Sequence, residues 1–262
     1  MLNKNIVFGM ILRYFYGWRH DYARLTDSFY WPAIDIFLWG LTSVYIKNAS
    51  TEIPQIVFVI LTGVVFWSVI WRSQYEISTN LLAEFWDKNL VNIFASPLRI
   101  SEWIAAVMTI GTIKMLMTLV FAAFLSCILY AFNVFLYGSL LIPFVISLLI
   151  TGWSLGFLVA GIIIRFGQTL ETLAWAGPVV IAPFAGFYYP IATLPIWAQK
   201  IAVFVPPSYI FEGMREILFT GSFSPDKLVI SFALNGLYMV LSIMFFVFMF
   251  NQSRKLGLGR LI

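Results

Sequence analysis

The sequence is short of what a soluble enzyme relies on: one cysteine, one histidine, and charge on only 11% of its 262 residues. A soluble domain carries charge on about a quarter. The lone Cys127 lies inside an apolar run, which excludes a disulfide framework within the chain. The lone His20 sits in a basic stretch, no H-E-x-x-H occurs, and Asp35 is the single aspartate within an apolar span. Intramembrane proteolysis and a metal site are therefore excluded, and no metal ligand or catalytic residue is assigned. There is no G-x-x-x-x-G-K-[ST] loop, so the chain cannot hydrolyse ATP by that route and needs no cofactor of its own. Alternating ten-residue segments are absent, which argues against a transmembrane barrel. Lys4, Arg13, Arg19, His20, Asp21, Arg24 and Asp27 interrupt the first 27 residues, so no removable signal peptide is read there.

What is there is apolar. Hydrophobic residues make up 61% of the chain, and the mean hydropathy is +0.91. A bilayer core of about 30 Å needs about 20 helical residues. Apolar spans are expected near 28–46, 54–71, 103–131, 137–164, 173–190 and 228–250, giving an all-α integral membrane protein with six transmembrane helices and one domain over 1–262. An even number of spans puts both termini on one side. If that side is the cytosol, it collects 11 of the 16 basic residues (Lys4, Arg13, Arg19, Arg24, Arg72, Lys88, Arg99, Arg165, Arg254, Lys255 and Arg260) against four outside. That asymmetry orients the chain and accounts for its net charge of +4 without nucleic acid.

Three segments do not cross. Residues 1–27 mix aromatic and aliphatic side chains with Arg13, Arg19 and Arg24, as an interfacial amphipathic helix touching membrane lipid would. Residues 72–103 read as the longest cytosolic connection, with Leu81, Leu82, Phe85, Leu90, Ile93 and Phe94 at near-helical spacing; that apolar side packs either on this chain's own cytosolic ends or on another protein. Residues 191–227 form an outer hairpin, because 191–205 is about 22 Å long as a helix and too short to cross. Pro190 and Pro195 at its start, and Pro206 and Pro207 at its end, turn the chain. Residues 209–219 then make a second short helix with Glu212, Arg215 and Glu216 on its wetter face, Glu212 and Arg215 being spaced to pair.

Ionisable groups inside spans are costly. Asp35 and Lys114 are candidates for a transport pathway or for a mutual structural pair, with Lys114 snorkelling as a third option. Trp39, Tyr45, Phe66, Trp67, Trp71, Phe187, Tyr188 and Tyr189 near span ends form either a headgroup belt or a pathway lining. Gly152, Gly156 and Gly161 permit close helix approach, and Pro178 and Pro183 break the fifth span.

The runs EFWDKNLVNIFASPLRISEW (84–103), GWSLGFLVAGIIIRFGQ (152–168) and FYYPIATLPIWAQKIAVFVPPSYIFEGMRE (187–216) together resemble the membrane subunit of an ABC-2 type exporter. The resemblance implies a homodimer bound to two cytosolic ABC ATPase subunits, which would hold ATP and Mg. It also implies a coupling helix over 84–95, with Glu84, Phe85, Trp86, Asp87, Asn89 and Leu90 meeting the ATPase. Pro190, Pro206, Pro207, Tyr209, Glu212 and Arg215 then belong to an outer gate. Asp35, Trp39, Phe66, Trp67, Lys114 and Tyr188 become pathway candidates. Arg165 is followed by FGQTLE, not by the arginine-bearing turn of polysaccharide exporters. The expected function is ATP-driven export of an amphiphile (a lipid, a lipid-linked glycan or a drug-like molecule), with proton-coupled secondary transport as the alternative.

Overall fold

A computed structural model describes residues 2–49 and 55–257; Pro54, the expected start of the second span, and Arg260 lie outside them. Among the described residues there is no strand. In lipid a helix satisfies every backbone polar group within its own segment, which is why long apolar runs choose it. The described residues form ten α-helices in chain order: α1 (Lys4–His20), α2 (Tyr22–Ala49), α3 (Ile56–Trp86), α4 (Leu90–Ala95), α5 (Ile100–Tyr130), α6 (Leu141–Phe166), α7 (Thr172–Ala185), α8 (Ile196–Ala202), α9 (Pro206–Thr220) and α10 (Pro225–Lys255).

Among the described residues, four helical stretches are long and apolar enough to cross a membrane: Ile56–Trp86, Ile100–Tyr130, Val134–Phe166 and Pro225–Lys255. The expected first and fifth spans fall on α2 and α7, which are not among the four. Helix α2 has 28 residues but carries Arg24, Asp27, Asp35 and Lys47. Helix α7 has 14 residues, about 21 Å, with Pro178 and Pro183 inside it.

Helix α3 is the central element, packed by α2, α5 and α6, while α6 is flanked on its other side by α10. Its approach to α6 depends on glycine. A Cβ on Gly152 would sit 2.6 Å from Ser73 Cβ and 2.7 Å from the Ile70 carbonyl oxygen, and one on Gly156 would sit 2.9 Å from Ile77 Cβ. Two apolar clusters result. One, toward the α9 end, gathers Phe66, Tyr137, Phe144 and Phe211; the other, toward the α1 end, gathers Tyr14, Phe85, Leu90, Trp103, Phe157 and Phe246.

The expected connection over 72–103 is corrected by this arrangement. Helix α3 does not stop at Trp71 but continues unbroken to Trp86, and residues 72–85 are all buried. Polar side chains in that stretch are polar because they are paired in the interior, not because they are wet. The chain breaks only at 87–89, where Lys88 takes a left-handed φ of 53°, and α4 follows as a separate six-residue helix.

Candidate functional site

At the end of the bundle that carries α1 and α4, the amphipathic N-terminal helix is fastened to the helices behind it. The Arg13 guanidinium donates to Glu84 Oε2 at 2.7 Å, the Trp103 indole donates to the Tyr14 hydroxyl at 2.9 Å, and the Asn3 amide donates to Glu102 Oε1 at 2.9 Å. Burial works against the Arg13 charge, yet the Glu84 carboxylate outweighs it and holds the guanidinium above its ordinary pKa. Of the six residues assigned to an ATPase contact, Glu84, Phe85 and Leu90 are buried, Asn89 is half-buried, and Trp86 and Asp87 are exposed. Asn89 Nδ2 lies 3.3 Å from Glu84 Oε2, so it braces the same carboxylate. The apolar side of 81–94 packs on this chain: Phe94 stands edge-on to Phe250 at 4.6 Å, and Trp103 stacks on Phe246 at 5.3 Å. The face left open by α4 carries Trp86, Asp87, Lys88, Val91 and Asn92.

One level deeper lies a buried ion network that the sequence did not announce. Glu76 Oε2 accepts from Lys114 Nζ at 2.6 Å, and its Oε1 lies 2.5 Å from Arg72 Nη2. Arg72 Nη1 reaches Asp27 at 3.3 Å, and Nη2 also donates to the Ser28 hydroxyl at 2.5 Å. Lys114 Nζ additionally lies 5.5 Å from the Trp18 ring centroid. Lys114 therefore neither snorkels nor pairs with Asp35. The pair with Asp35, one of the alternatives, does not form because the carboxylate on the facing helix is Glu76, hidden in a segment read as a cytosolic connection. The i,i+4 spacing of Arg72 and Glu76 was the available signal.

Beside this network opens a cavity of about 420 Å³ between α2, α3, α5 and α7. Its walls include Trp31, Asp35, Trp67, Trp71, Trp175 and Tyr188, and Asp27, Ser28 and Arg72 close one end. The rings are buttressed from behind. Trp67 stacks on Phe187 with centroids 4.3 Å apart and planes 7° apart, Trp175 leans on Tyr75 at 4.9 Å, and Tyr188 leans on Trp39 at 4.3 Å. Three of the six pathway candidates (Asp35, Trp67 and Tyr188) thus share one space, with Trp39 behind Tyr188. Phe66 and Lys114 are elsewhere: Phe66 is fully buried, edge-on to Tyr137 at 5.6 Å. Trp71, one of the span-end aromatics, also lines the cavity, while Trp31 and Trp175 were missed, since no periodicity distinguishes an aromatic facing a cavity from one facing lipid.

At the opposite end, α7 stops at Gly186, which takes the left-handed conformation (φ 69°), and the chain returns over α3. A Cβ on Gly63 would overlap the Phe187 carbonyl oxygen, so α3 is contoured to receive this return. Pro190 precedes a 3-10 turn, α8 is seven residues long, and Pro206 and Pro207 open α9. Glu212 accepts from the Ile191 amide at 2.7 Å and pairs with Arg215 at 2.8 Å, while Arg215 Nη2 donates to the Gly186 carbonyl at 2.6 Å. Arg215 is accordingly buried instead of lying on the wet face, because its charge holds the break after α7. The Tyr209 hydroxyl donates to the Val203 carbonyl at 2.9 Å, closing α8 onto α9. Glu216 accepts from Lys227 and Ser224, and these bonds hold its carboxyl well below the ordinary value, at about 2.

Compared with known families, residues 17–219 match the family model described as ABC-2 type transporter. No curated protein matches the chain.

Proposed function

The chain belongs to the ABC-2 type transporter family, and from that premise we propose that this membrane component is the permease of an ATP-driven exporter working as a homodimer with two ABC ATPase subunits. The observation that carries the reading is the α4 corner. A six-residue helix follows the end of the long buried α3, its inward side packed on Phe250 and Trp103; the corner between them exposes Trp86 and Asp87, and the helix itself exposes Val91 and Asn92. An outward-facing polar corner rigidly joined to a helix that lines a cavity is a way to turn movement at one end into a change of shape at the other. On this reading the corner and both termini face the cytosol, α2 and the broken segment 173–190, which α7 fills only in part, supply the two remaining spans, and α8 with α9 cap the outer exit. The cargo is an amphiphile that enters the aromatic cavity from the cytosolic side or the inner leaflet. ATP and Mg belong to the partner subunit, since this chain has no phosphate loop.

The test is to purify the tagged chain in mild detergent, identify the proteins that accompany it by mass spectrometry, and weigh the complex. A protein with a phosphate loop, at two copies for two of this chain, is the expected result. Replacing Trp86 and Asp87 together with Ala should lower that protein's yield. Recovery of this chain alone under several gentle conditions overturns the proposal and favours the competing reading, proton-coupled transport through Asp35.

A further inference from the structure

The cavity beside the ion network has a charge balance that selects its ligand. Asp27, Trp31 and Asp35 recur every four residues and so lie along one face of α2; Trp67 and Trp71 do the same on α3. Arg72 is the cation nearest this space, yet its charge is already met. Its two terminal nitrogens are taken by Asp27, Glu76 and Ser28, and Lys114 is held by Glu76, so two cations face two carboxylates. Only Arg72 Nε is left without a hydrogen-bond partner. Asp35 is the remaining charge on the wall, and no hydrogen bond or ion pair from any described residue reaches it. An anionic headgroup would meet one free N–H, a spent guanidinium and the repulsion of Asp35. A cation would meet an uncompensated carboxylate in a wall that includes four tryptophan rings, a composition suited to weakly hydrated organic cations. The volume of about 420 Å³ lies within the range of small-molecule sites.

We infer that this cavity binds the charged end of an amphiphilic organic cation, with Asp35 as its counter-charge and Trp31, Trp67, Trp71 and Trp175 as its aromatic walls. This names the cargo class of the exporter proposed above and rests on that reading only for the transport steps after binding. The same geometry sets a preference against anionic lipids and lipid-linked phosphates.

The test uses the purified full chain in detergent at neutral pH and two probes of matched shape and opposite charge, tetraphenylphosphonium and tetraphenylborate. Binding is followed by equilibrium dialysis and by quenching of tryptophan fluorescence. The phosphonium should bind saturably and the borate should not. Asp35→Asn should weaken the phosphonium by about tenfold or more, Asp35→Glu should retain most of the affinity, and Trp31→Leu should weaken it while leaving the thermal unfolding midpoint unchanged. Borate binding as tight as the phosphonium, non-saturable uptake of both probes, or an Asp35→Asn variant that binds like the parent overturns the inference. Because no ATPase is needed, the two ideas can fail separately. Selective phosphonium binding without any ATPase partner sinks the exporter and keeps the site, and a stable ATPase complex with no phosphonium selectivity does the reverse.

Discussion

Glu76→Gln is the perturbation that probes the interior most directly. The two side chains have nearly the same shape, so no cavity is created and the change is one of charge. Glu76 is the common acid of the network, 2.6 Å from Lys114 and 2.5 Å from Arg72, with all three side chains no more than 6% exposed. After the substitution Asp27 still reaches Arg72 at 3.3 Å, but Lys114 loses its counter-charge and keeps a neutral amide oxygen and the Trp18 ring. Removing one partner of a buried ion pair costs about 3–5 kcal/mol, because the other charge stays desolvated and unmet. At about 2–4 °C per kcal/mol for a chain of this size class, the unfolding midpoint should fall by about 6–20 °C. Intrinsic tryptophan fluorescence during a thermal ramp in detergent reads this, and Trp18 is a local reporter. The discriminating variant is Glu76→Gln with Lys114→Met, which removes the stranded cation and should recover more than half of the loss. A single variant within about 0.5 kcal/mol of the parent, or a double variant no better than the single, would refute the claim that Lys114 is charged and held by Glu76.

Gly152→Ala should cost about 1–3 kcal/mol, since the new Cβ meets the Ile70 carbonyl, backbone that cannot swing away, and the Ser73 Cβ, which no rotamer change moves. Gly236→Ala, with nothing within 4 Å of its Cβ, should be neutral or mildly stabilising, and equal unfolding midpoints for the two would remove glycine from the account of α3–α6 packing. For Glu216 the sign comes from its direction of shift. A carboxyl lowered from 4.5 to about 2 in the folded chain contributes stability that is fully present above about pH 4.5 and is lost as pH falls toward 2. The difference in unfolding midpoint between the parent and Glu216→Gln should therefore be largest above pH 4.5 and shrink on acidification; a difference independent of pH would show that the Lys227 and Ser224 contacts do not hold the ionised form.

Much of the local structure was legible because helix in lipid is dictated by a single property. Leu, Ile, Val and Phe in runs of about 20 leave the backbone no alternative, so α5 and α10 could be located from composition. The prolines around 183–207 marked the broken region after α7, since proline removes a donor; Gly186, which takes the left-handed turn there, came only from the structure. The failure over 72–86 has an equally plain cause. Arg72, Gln74, Glu76, Asn80 and Glu84 have the composition of a wet connection, and composition cannot tell a solvated charge from one neutralised by a residue on another helix.

The candidate site divides along the same line. Asp35 and Lys114 drew attention in the sequence because a charge among apolar neighbours is expensive, and that expense is a property of each residue and its span. Which of them is satisfied and which is left over depends on the facing helix. Lys114 is quenched by Glu76, 38 positions away, and Asp35 is met by none of the described residues. Sequence by itself determined a membrane-embedded helical chain, its broken region and its costly charges, since these derive from transfer free energies summed along the chain. Only the tertiary structure decided that four tryptophans from three helices surround one carboxylate, because pairing and enclosure are relations between residues that the chain brings together only by packing.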